Sequence, residues 1–312
     1  MSMLHKIYVS LPLLIPSIIL FSMAFVAQPF QLYLLSSALL FPMFALSLDF
    51  LVGYGGMPNF GHAMFFGLGA YLTVIGQVWF KLPWVVSLLL PYIFVVPLSF
   101  FLAYFTIRRG GIYFALITLI WGDIMYNIFF YEWTLGGADG LRGATIFPLQ
   151  PYYIVILILT LICYILLKRL TNSHFGKILQ AIRENEVRVG FVGCNTYNYK
   201  TIATVISACF AAFAGSLYPA LYGGARPELL HWTLSTLGMS MVIIGGLGTL
   251  VGALIGGFLI TLVIDFATSY LPTGGGFSIV GLLLIFTLRF MPKGIYYSIK
   301  EIIVSRLKVF RL

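Results

Sequence analysis

Long runs without a single charged residue are the feature of this sequence that most restricts its fold. They extend over residues 7–48, 50–80, 82–107, 143–167, 201–225, 229–264 and 266–288. Because a helix that spans a bilayer needs roughly 20 apolar residues, each run can hold one span and the longest runs can hold two. Charged residues make up 9% of the chain, against about 25% in soluble domains. The sequence therefore predicts an all-α polytopic membrane protein.

The sequence predicts ten transmembrane helices, most of them within these runs. Proline removes a backbone donor and disfavours helix in the residue before it, so the first run is expected to break at Gln28–Pro29. The N-terminus resembles a signal peptide, but its cleavage pattern is poor and another span follows directly, so we expect an uncleaved first helix. The predicted spans are 7–27, 30–48, 58–80, 84–107, 112–131, 151–167, 201–222, 234–247, 249–271 and 278–290. They form a single transmembrane domain over residues 1–312, with a polar loop at 168–200.

The basic residues predict the orientation of this domain. Ten spans place both termini on one side of the membrane, and basic residues favour cytoplasmic loops. With the termini in the cytoplasm, all but three of the 18 Lys and Arg residues are cytoplasmic. The exceptions are Lys81, Arg142 and Arg226. The net charge of +9 is therefore explained by basic cytoplasmic loops, which face the cytoplasm and anionic lipid. A nucleic-acid partner is not needed to account for it.

The longest polar stretch, Ser173 to Lys200, predicts an amphipathic helix on the cytoplasmic side. Asn172 or Ser173 can cap its start, and Gly190 can end it in a left-handed conformation. Glu184 and Arg188 are spaced for an ion pair one turn apart. Helical spacing gives an apolar face and a polar face. The apolar face holds Ile178, Ala181, Ile182 and Val189, and the polar face holds Lys177, Gln180, Glu184 and Arg188.

Two interpretations of this helix are open. It can lie in the lipid headgroups, as amphipathic helices commonly do. It can instead seat a short apolar ridge in the groove of a partner protein. Glu184 and Glu186 fit the second interpretation better, because a lipid-binding face is expected to be purely basic.

The same stretch, "FGKILQAIRENEVRVGFVGCNTYNYK", resembles the cytoplasmic coupling loop of branched-chain amino acid ABC transporter permeases, the LivM family. Four further stretches agree with that family in order and in side of the membrane. They are "GGMPNFGHAMFFGLGAY" from Gly55, "RGGIYFALITL" from Arg109, "LGGADGL" from Leu135 and "GGLGTLVGALIGG" from Gly245. The resemblance covers about residues 40 to 290. His174 and Ala253 depart from it, since the family is expected to have proline at both positions.

The resemblance implies the membrane-spanning permease subunit of an ATP-driven importer in a prokaryotic cell membrane, and not an enzyme. It implies no cofactor on this chain, with ATP hydrolysed by two cytoplasmic ATPase subunits. The other implied partners are a second, LivH-type permease and an extracytoplasmic substrate-binding protein. Branched-chain amino acids are the implied substrates, with urea or a related amide as the alternative. The residues implied to couple to the ATPases are Gly176, Ala181, Ile182, Arg183, Glu184, Asn185 and Gly193.

A second set of residues is a candidate for the translocation path. Its glycines permit close helix approach or non-helical backbone beside a cavity, and its polar members stand within or next to predicted spans. They are Gly55, Gly56, Asn59, His62, Asp123, Asn127, Gly245 and Gly246. Asp123 either lines the path or bonds to a neighbouring helix, because a carboxylate in lipid is costly when unpaired. His62 either serves the path or bonds to loop carbonyls.

The same residues bear on several other kinds of chemistry. The spacing of the three cysteines and the lone His62 predict no metal site, and "GGLG" at Gly245 lacks the lysine and hydroxyl of a phosphate loop. An ion-coupled secondary transporter would use Asp123, Asp265 or His62 as a relay. An intramembrane enzyme would need converging nucleophile, base or metal ligands, and no paired acidic or histidine motif suggests them. The glycine-rich segments that begin at Gly53 and at Gly245 are weakly similar to each other. The similarity is consistent with an internal duplication of the chain or with close packing of glycine-rich helices.

Overall fold

The computed structural model describes residues 19–109, 111–270, 275–298 and 300–301, and within them the chain is almost entirely helical. We number the helices α1 to α12. They are α1 (19–26), α2 (Pro29–Asp49), α3 (Ala63–Val78), α4 (Trp84–Ser87), α5 (Leu90–Thr106), α6 (Gly111–Tyr131), α7 (Leu149–Asn172), α8 (His174–Phe191), α9 (Thr196–Tyr222), α10 (Trp232–Gly245), α11 (Leu250–Tyr270) and α12 (Gly275–Phe290). Two short strands, β1 (Leu141–Arg142) and β2 (Gly224–Ala225), pair antiparallel.

Six helical segments in the described ranges are long and apolar enough to cross a membrane. They are Pro29–Tyr54, Trp84–Thr106, Gly111–Tyr131, Leu149–Asn172, Thr196–Tyr222 and Leu250–Tyr270. Helices α3, α10 and α12 are apolar but shorter. These nine correspond to nine of the ten predicted spans, and most of the predicted first span, 7–27, lies outside the described residues. The chain is therefore an all-α polytopic membrane protein, and ten spans stay a prediction.

Helix α2 forms the centre of the molecule, with α7, α9, α10 and α11 packed around it. Close approach depends on glycine where side chains would prevent contact. A Cβ atom added at Gly69 would lie 2.1 Å from the Ala212 carbonyl oxygen, and one at Gly215 would lie 1.8 Å from the Phe66 carbonyl oxygen. Helices α3 and α9 thus touch backbone to backbone. Gly257 of α11 makes a similar close contact with Pro42 of α2, where an added Cβ atom would lie 2.8 Å from Pro42 Cα.

The outer helices present bulky apolar side chains away from the protein, as expected of a surface solvated by lipid. On α5 these include Ile93, Phe94, Phe100 and Phe105, and on α6 they include Ile112, Leu116, Ile120 and Ile128. Fewer than a third of the residues in the apolar windows of these two segments are buried, whereas nearly all of those around α2 are. The core therefore lies along α2, and α5 and α6 form the periphery.

Several helix ends differ from the predicted spans for local reasons. Residues Phe50–Tyr54 continue α2 as a π-helix, whereas the span was predicted to stop at residue 48. The predicted span 58–80 begins late, because residues 56–60 are non-helical. Helix α7 runs to Asn172, past the predicted end at 167, since helical hydrogen bonding continues through the polar residues outside the apolar run.

The connections lie at two opposite ends of the helical bundle. Arg108, α8, the turn after Tyr54 and the turn after Gly245 share one end. Lys81, Arg142 and Arg226 lie in connections at the other end, where β1 pairs with β2. The structure thus separates the described basic residues as the charge bias predicts, and we refer to the α8 end as inner and the strand end as outer.

Candidate coupling and translocation site

Helix α8 begins directly after α7 and is held tightly against it. The Ser173 hydroxyl accepts a hydrogen bond from the Gly176 N–H, which is the capping contact predicted for this residue. A Cβ atom at Gly176 would lie 2.4 Å from the carbonyl oxygens of both Leu170 and Thr171. Glycine is therefore required at this position by the sharp turn between α7 and α8.

The inner face of α8 packs on the permease itself. Gly176, Leu179 and Ile182 are its buried residues, and Ala181 is half-buried. The apolar face predicted around Ile178, Ile182 and Val189 is thus only partly right, because Leu179 is buried and Ile178 and Val189 are half-exposed. Ile182 faces this chain, so it is not available as the ridge for another protein.

Helix α8 is interrupted at Asn185, which has an extended backbone with φ −158° and ψ 98°. The Asn185 side chain accepts a hydrogen bond from the Arg188 N–H and so caps a second helical segment. The predicted ion pair between Glu184 and Arg188 is wrong, since the break removes the helical spacing between them, and neither forms an ion pair with another described residue. The predicted stop at Gly190 is also wrong, because the helix runs to Phe191 and the left-handed residue is Gly193, with φ +88°.

The second segment of α8 carries exposed apolar side chains. Val187, Phe191 and Val192 are 67%, 87% and 79% exposed. Val192 directly follows α8, and all three side chains stand near exposed Glu184 and Arg188, in a part of the chain without buried residues. This part of α8 is the apolar surface with flanking charges that the docking interpretation required, placed several residues later than predicted.

Arg183 connects α8 to the inner glycine turns. Its guanidinium donates a hydrogen bond to the Gly53 carbonyl oxygen. Its aliphatic stem covers Gly56, where an added Cβ atom would lie 2.8 Å from Arg183 Cγ. Gly56 has φ +66°, so both its backbone conformation and this contact favour glycine. Arg183 also lies 3.2 Å from the position of a Cβ atom at Gly248.

The two glycine turns, 53–56 and 245–248, contact each other, and we call them together the glycine junction. A Cβ atom at Gly53 would lie 2.5 Å from the Gly248 nitrogen. Gly246 and Gly248 have φ values of +126° and +75°. Gly245 approaches the Gly252 carbonyl oxygen, where its Cβ atom would lie only 1.9 Å away. The junction thus joins the α2–α3 and α10–α11 connections, which are the two segments whose sequences suggested a duplication.

Asp49 holds the glycine junction together from within. It is fully buried at the end of α2, and its Oδ1 accepts a hydrogen bond from the Gly248 N–H at 2.7 Å. Its Oδ2 is buried and has no hydrogen-bond partner among the described residues. Arg183 is the cation whose charge acts on this carboxylate. Sequence reasoning missed Asp49, because a single aspartate between two apolar runs looked like a boundary between spans.

A cavity of about 210 Å³ lies between α8, the start of α6 and the glycine junction. Its lining includes Gly56, Phe114, Arg183, Glu186 and Lys200. Lys200 is buried and forms an ion pair with Glu186, which ties the second segment of α8 to α9. The break at Asn185 therefore borders a polar space, and the two halves of α8 have separate anchors, Arg183 and Glu186.

His62 and Asn59 lie deeper in the bundle, and both are buried. His62 Nε2 lies 2.9 Å from the Ser47 hydroxyl and 3.5 Å from the Ser207 hydroxyl, and the ring stacks on Phe44. It therefore bonds to α2 and α9 side chains and not to loop carbonyls. Its Nδ1 has no partner within the described ranges. Asn59 Oδ1 accepts from the Gly61 N–H, a local turn contact.

Asp123 and Asn127 form a pair on α6, apart from the glycine junction. The Asn127 amide donates to the Asp123 carbonyl oxygen at 2.8 Å and approaches its carboxylate at 3.3 Å. The expected hydrogen bond from Asp123 to a neighbouring helix is therefore replaced by one within its own helix. In the part of the chain that the structure describes, no three His, Cys, Asp or Glu residues are grouped to hold a metal ion.

Comparison with known proteins identifies the chain's relatives. LivM, the high-affinity branched-chain amino acid transport system permease protein of Escherichia coli K12, is 25% identical over 68% of this chain and 57% of its own length. LivM of Salmonella typhimurium is 26% identical over the same shares. The probable LivH of Methanocaldococcus jannaschii is 27% identical over 59% of this chain and 58% of its own. The chain thus spans less than two thirds of these relatives, and no solved structure matches it significantly.

A family model covers far more of the chain than any of these pairwise matches. The model is described as "Branched-chain amino acid transport system / permease component", and it matches residues 30–288. That range includes α3 to α11 and nearly all of α2 and α12, with the glycine junction and both short strands. Since the match covers more than half of the chain, the protein belongs to the family of branched-chain amino acid transport system permease components.

Proposed function

We propose that this chain is the membrane-spanning permease subunit of an ATP-binding cassette importer for branched-chain amino acids, in the cell membrane of a prokaryote. It acts as a transport subunit and binds no cofactor, and ATP is hydrolysed by two cytoplasmic ATPases. A second, LivH-type permease completes the membrane path, and an extracytoplasmic binding protein delivers the substrate. Membership of the permease family and the names of the relatives support this assignment.

The contact between Arg183 and the glycine junction is the observation that carries the mechanism. The exposed second segment of α8 offers Val187, Phe191 and Val192 to an ATPase groove. The first segment is fixed to the junction through Arg183 and to α7 through Gly176. A push on the exposed segment is therefore transmitted to the connections of α2–α3 and α10–α11. Alternating access follows if the junction has two arrangements that the ATPases bias differently.

Replacement of Phe191 by aspartate tests this mechanism. The change places a charge in an apolar contact, which typically costs a few kcal/mol at the centre of an interface. We expect the permease to insert and to pair with its membrane partner, but to lose the ATPases on copurification. Gly190→Ala is the matched control, because a Cβ atom at Gly190 meets open space. Retention of the ATPases and wild-type uptake by Phe191→Asp would place α8 in the lipid headgroups instead.

Arg183→Ala tests the connection to the glycine junction separately. We expect the ATPases to stay bound, since Arg183 points toward this chain, but ATP hydrolysis no longer responds to the loaded binding protein. The assay is the ATPase rate in proteoliposomes with and without the loaded binding protein. Normal stimulation in Arg183→Ala would remove the junction from the mechanism.

The substrate and the energy source are tested on the complete wild-type transporter. Leucine uptake that requires ATP inside the vesicles is the expected result. Uptake of urea without leucine would transfer the proposal to the urea and amide importers. Leucine uptake that survives removal of the ATPases and disappears with the ion gradient would assign a secondary transporter.

A further inference from the structure

A cavity of about 410 Å³ opens at the outer end of the bundle, and its inner wall is aromatic. Tyr218 and Tyr222, one turn apart near the end of α9, stack with ring centroids 4.0 Å apart and planes 11° apart. Tyr33 of α2 meets the Tyr222 ring edge-on at 5.7 Å. We call this cavity the outer tyrosine pocket. Its volume is within the range typical of sites for small molecules.

The rim of the outer tyrosine pocket carries charges of both signs. Arg142, Arg226 and Asp139 line it, and all three are exposed. The strand pairing brings them together, because Arg142 lies opposite Gly224, and Gly140 packs directly on Ala225 and Arg226. Two of the three basic residues predicted to be extracytoplasmic are therefore at this rim.

The three charged side chains at the rim have no polar partner among the described residues of the chain. Neither arginine forms a side-chain hydrogen bond or ion pair with any described residue, and Asp139 accepts none. A second carboxylate, Asp265, lies beside Ser37, one helical turn along α2 from Tyr33 of the pocket wall. Asp265 accepts a hydrogen bond from the Ser37 hydroxyl. The pocket thus combines an apolar wall with an unpaired cationic side and an unpaired anionic side.

We propose that the outer tyrosine pocket is a receiving site for an α-amino acid zwitterion with an aliphatic side chain. Guanidinium groups bind carboxylates through paired, charge-assisted hydrogen bonds, which suits Arg142 and Arg226 to the substrate carboxylate. Asp139 complements the ammonium group, which the faces of the tyrosine rings also attract. The aliphatic side chain covers the stacked rings. The inference rests on the proposed function, and it places a specificity-determining contact in the permease as well as in the binding protein.

The mixture of charges favours this ligand over other candidates. A lipid phosphate would use the two arginines, but Asp139 would repel it. Urea is neutral and needs no opposed charges, so a pocket with both signs gives it no advantage. A zwitterionic amino acid can place its carboxylate against the arginines and its ammonium group against Asp139. Its apolar side chain can then contact the tyrosine wall.

Direct binding to the transporter without its binding protein tests the pocket. Radiolabelled L-leucine is titrated onto the complex in lipid nanodiscs, with isovalerate, leucine amide and urea as competitors. We expect saturable leucine binding that neither single-charge analogue nor urea displaces efficiently. Arg142→Gln with Arg226→Gln should weaken leucine binding by about tenfold or more, since both charge-assisted contacts are lost. Lys81→Gln is the control, because it removes the remaining predicted extracytoplasmic basic charge away from the pocket.

Affinity for the loaded binding protein is measured on the same variants. The pocket inference expects this affinity to stay unchanged while leucine binding falls. Unchanged leucine binding with weakened docking would overturn it and assign the rim to the binding protein. If a wild-type complex transports leucine but shows no saturable leucine binding, the pocket inference is overturned and the proposed function stands. If the complete wild-type transporter does not take up leucine, the proposed function itself fails.

Discussion

At the scale of single residues, Asp49 is a carboxyl group that is fully buried at the glycine junction. A buried carboxylate costs free energy unless its oxygens are hydrogen-bonded or its charge is compensated. Oδ1 meets the Gly248 N–H, whereas Oδ2 faces the interior without a hydrogen bond from a described residue. Arg183 supplies the nearby positive charge and holds Gly53 on the same junction. One carboxylate and one guanidinium thus join two chain connections that are almost 200 residues apart in sequence.

Asp49→Ala and Asp49→Asn should separate these two contributions. Alanine leaves the half-buried Gly248 N–H without its acceptor, so the free energy of unfolding should fall by about 1–3 kcal/mol. Asparagine keeps an acceptor and should retain most of the stability, but it removes the charge that Arg183 meets, and so stimulated ATP hydrolysis should fall. Thermal unfolding in detergent and the ATPase rate in vesicles are the two measurements. Equal stability of the alanine variant and the wild type would contradict the account of Asp49.

Asp123→Asn provides a contrasting case within the membrane. Because Asp123 bonds to Asn127 on its own helix and not to another helix, its replacement should leave assembly of the complex near the wild-type level. A slower uptake by this variant would support a position on the translocation path. Loss of assembled complex on size-exclusion chromatography would mean that Asp123 has a structural partner on another chain.

At the scale of elements, the backbone contact between α3 and α9 stabilises the centre of the bundle. Gly215→Ala should lower the free energy of unfolding by about 1–3 kcal/mol, as overpacking does in a dense interior. The added methyl group would lie against the Phe66 carbonyl oxygen. Gly281→Ala on α12 is the matched control, since its methyl group meets open space and should leave stability unchanged or slightly raised. Equal thermal unfolding of the two variants would show that α3 and α9 can separate at little cost.

The apolar helices could be predicted from the sequence, but their ends and their contacts could not. Hydropathy does not distinguish helical from non-helical apolar backbone, so the π-helix after Asp49 and the irregular residues before α3 stayed hidden. The break in α8 depends on the extended backbone of Asn185, which a helical pattern of side chains does not reveal. The Asp49–Gly248 bond joins distant positions, and a single sequence contains no local signal for such a pair.

At the scale of the whole molecule, charge is distributed between two ends that the structure keeps apart. The inner end has the glycine junction and α8, and the outer end has the paired strands and the outer tyrosine pocket. The two proposals place substrate reception and coupling to ATP at opposite ends of the same helices. Helix α9 runs the full distance between them, from Lys200 near its start to Tyr222 at its end.

Cysteine labelling tests this polarity. In a variant without the native cysteines, Asn195→Cys should react with an impermeant reagent only from the cytoplasm, and Ala138→Cys only from outside. Both positions are exposed and lie at the inner and outer ends, respectively. Whole cells and inverted membrane vesicles give the two directions of access. Reaction of Asn195→Cys in whole cells would reverse the orientation and would place α8 on the wrong side to meet ATP.

The short helices α3 and α10 have a consequence for the electrical profile of the membrane. With 16 and 14 residues they are about 24 and 21 Å long, less than the hydrocarbon thickness of about 30 Å. The start of α3 and the end of α10 are on the inner side, where non-helical backbone that leads to the glycine junction replaces further helix. At these two helices the apolar helical layer is therefore thinner than the hydrocarbon core of the surrounding bilayer. We expect the membrane voltage to fall over a shorter distance at these two helices, with Asp49 at the inner edge of that layer.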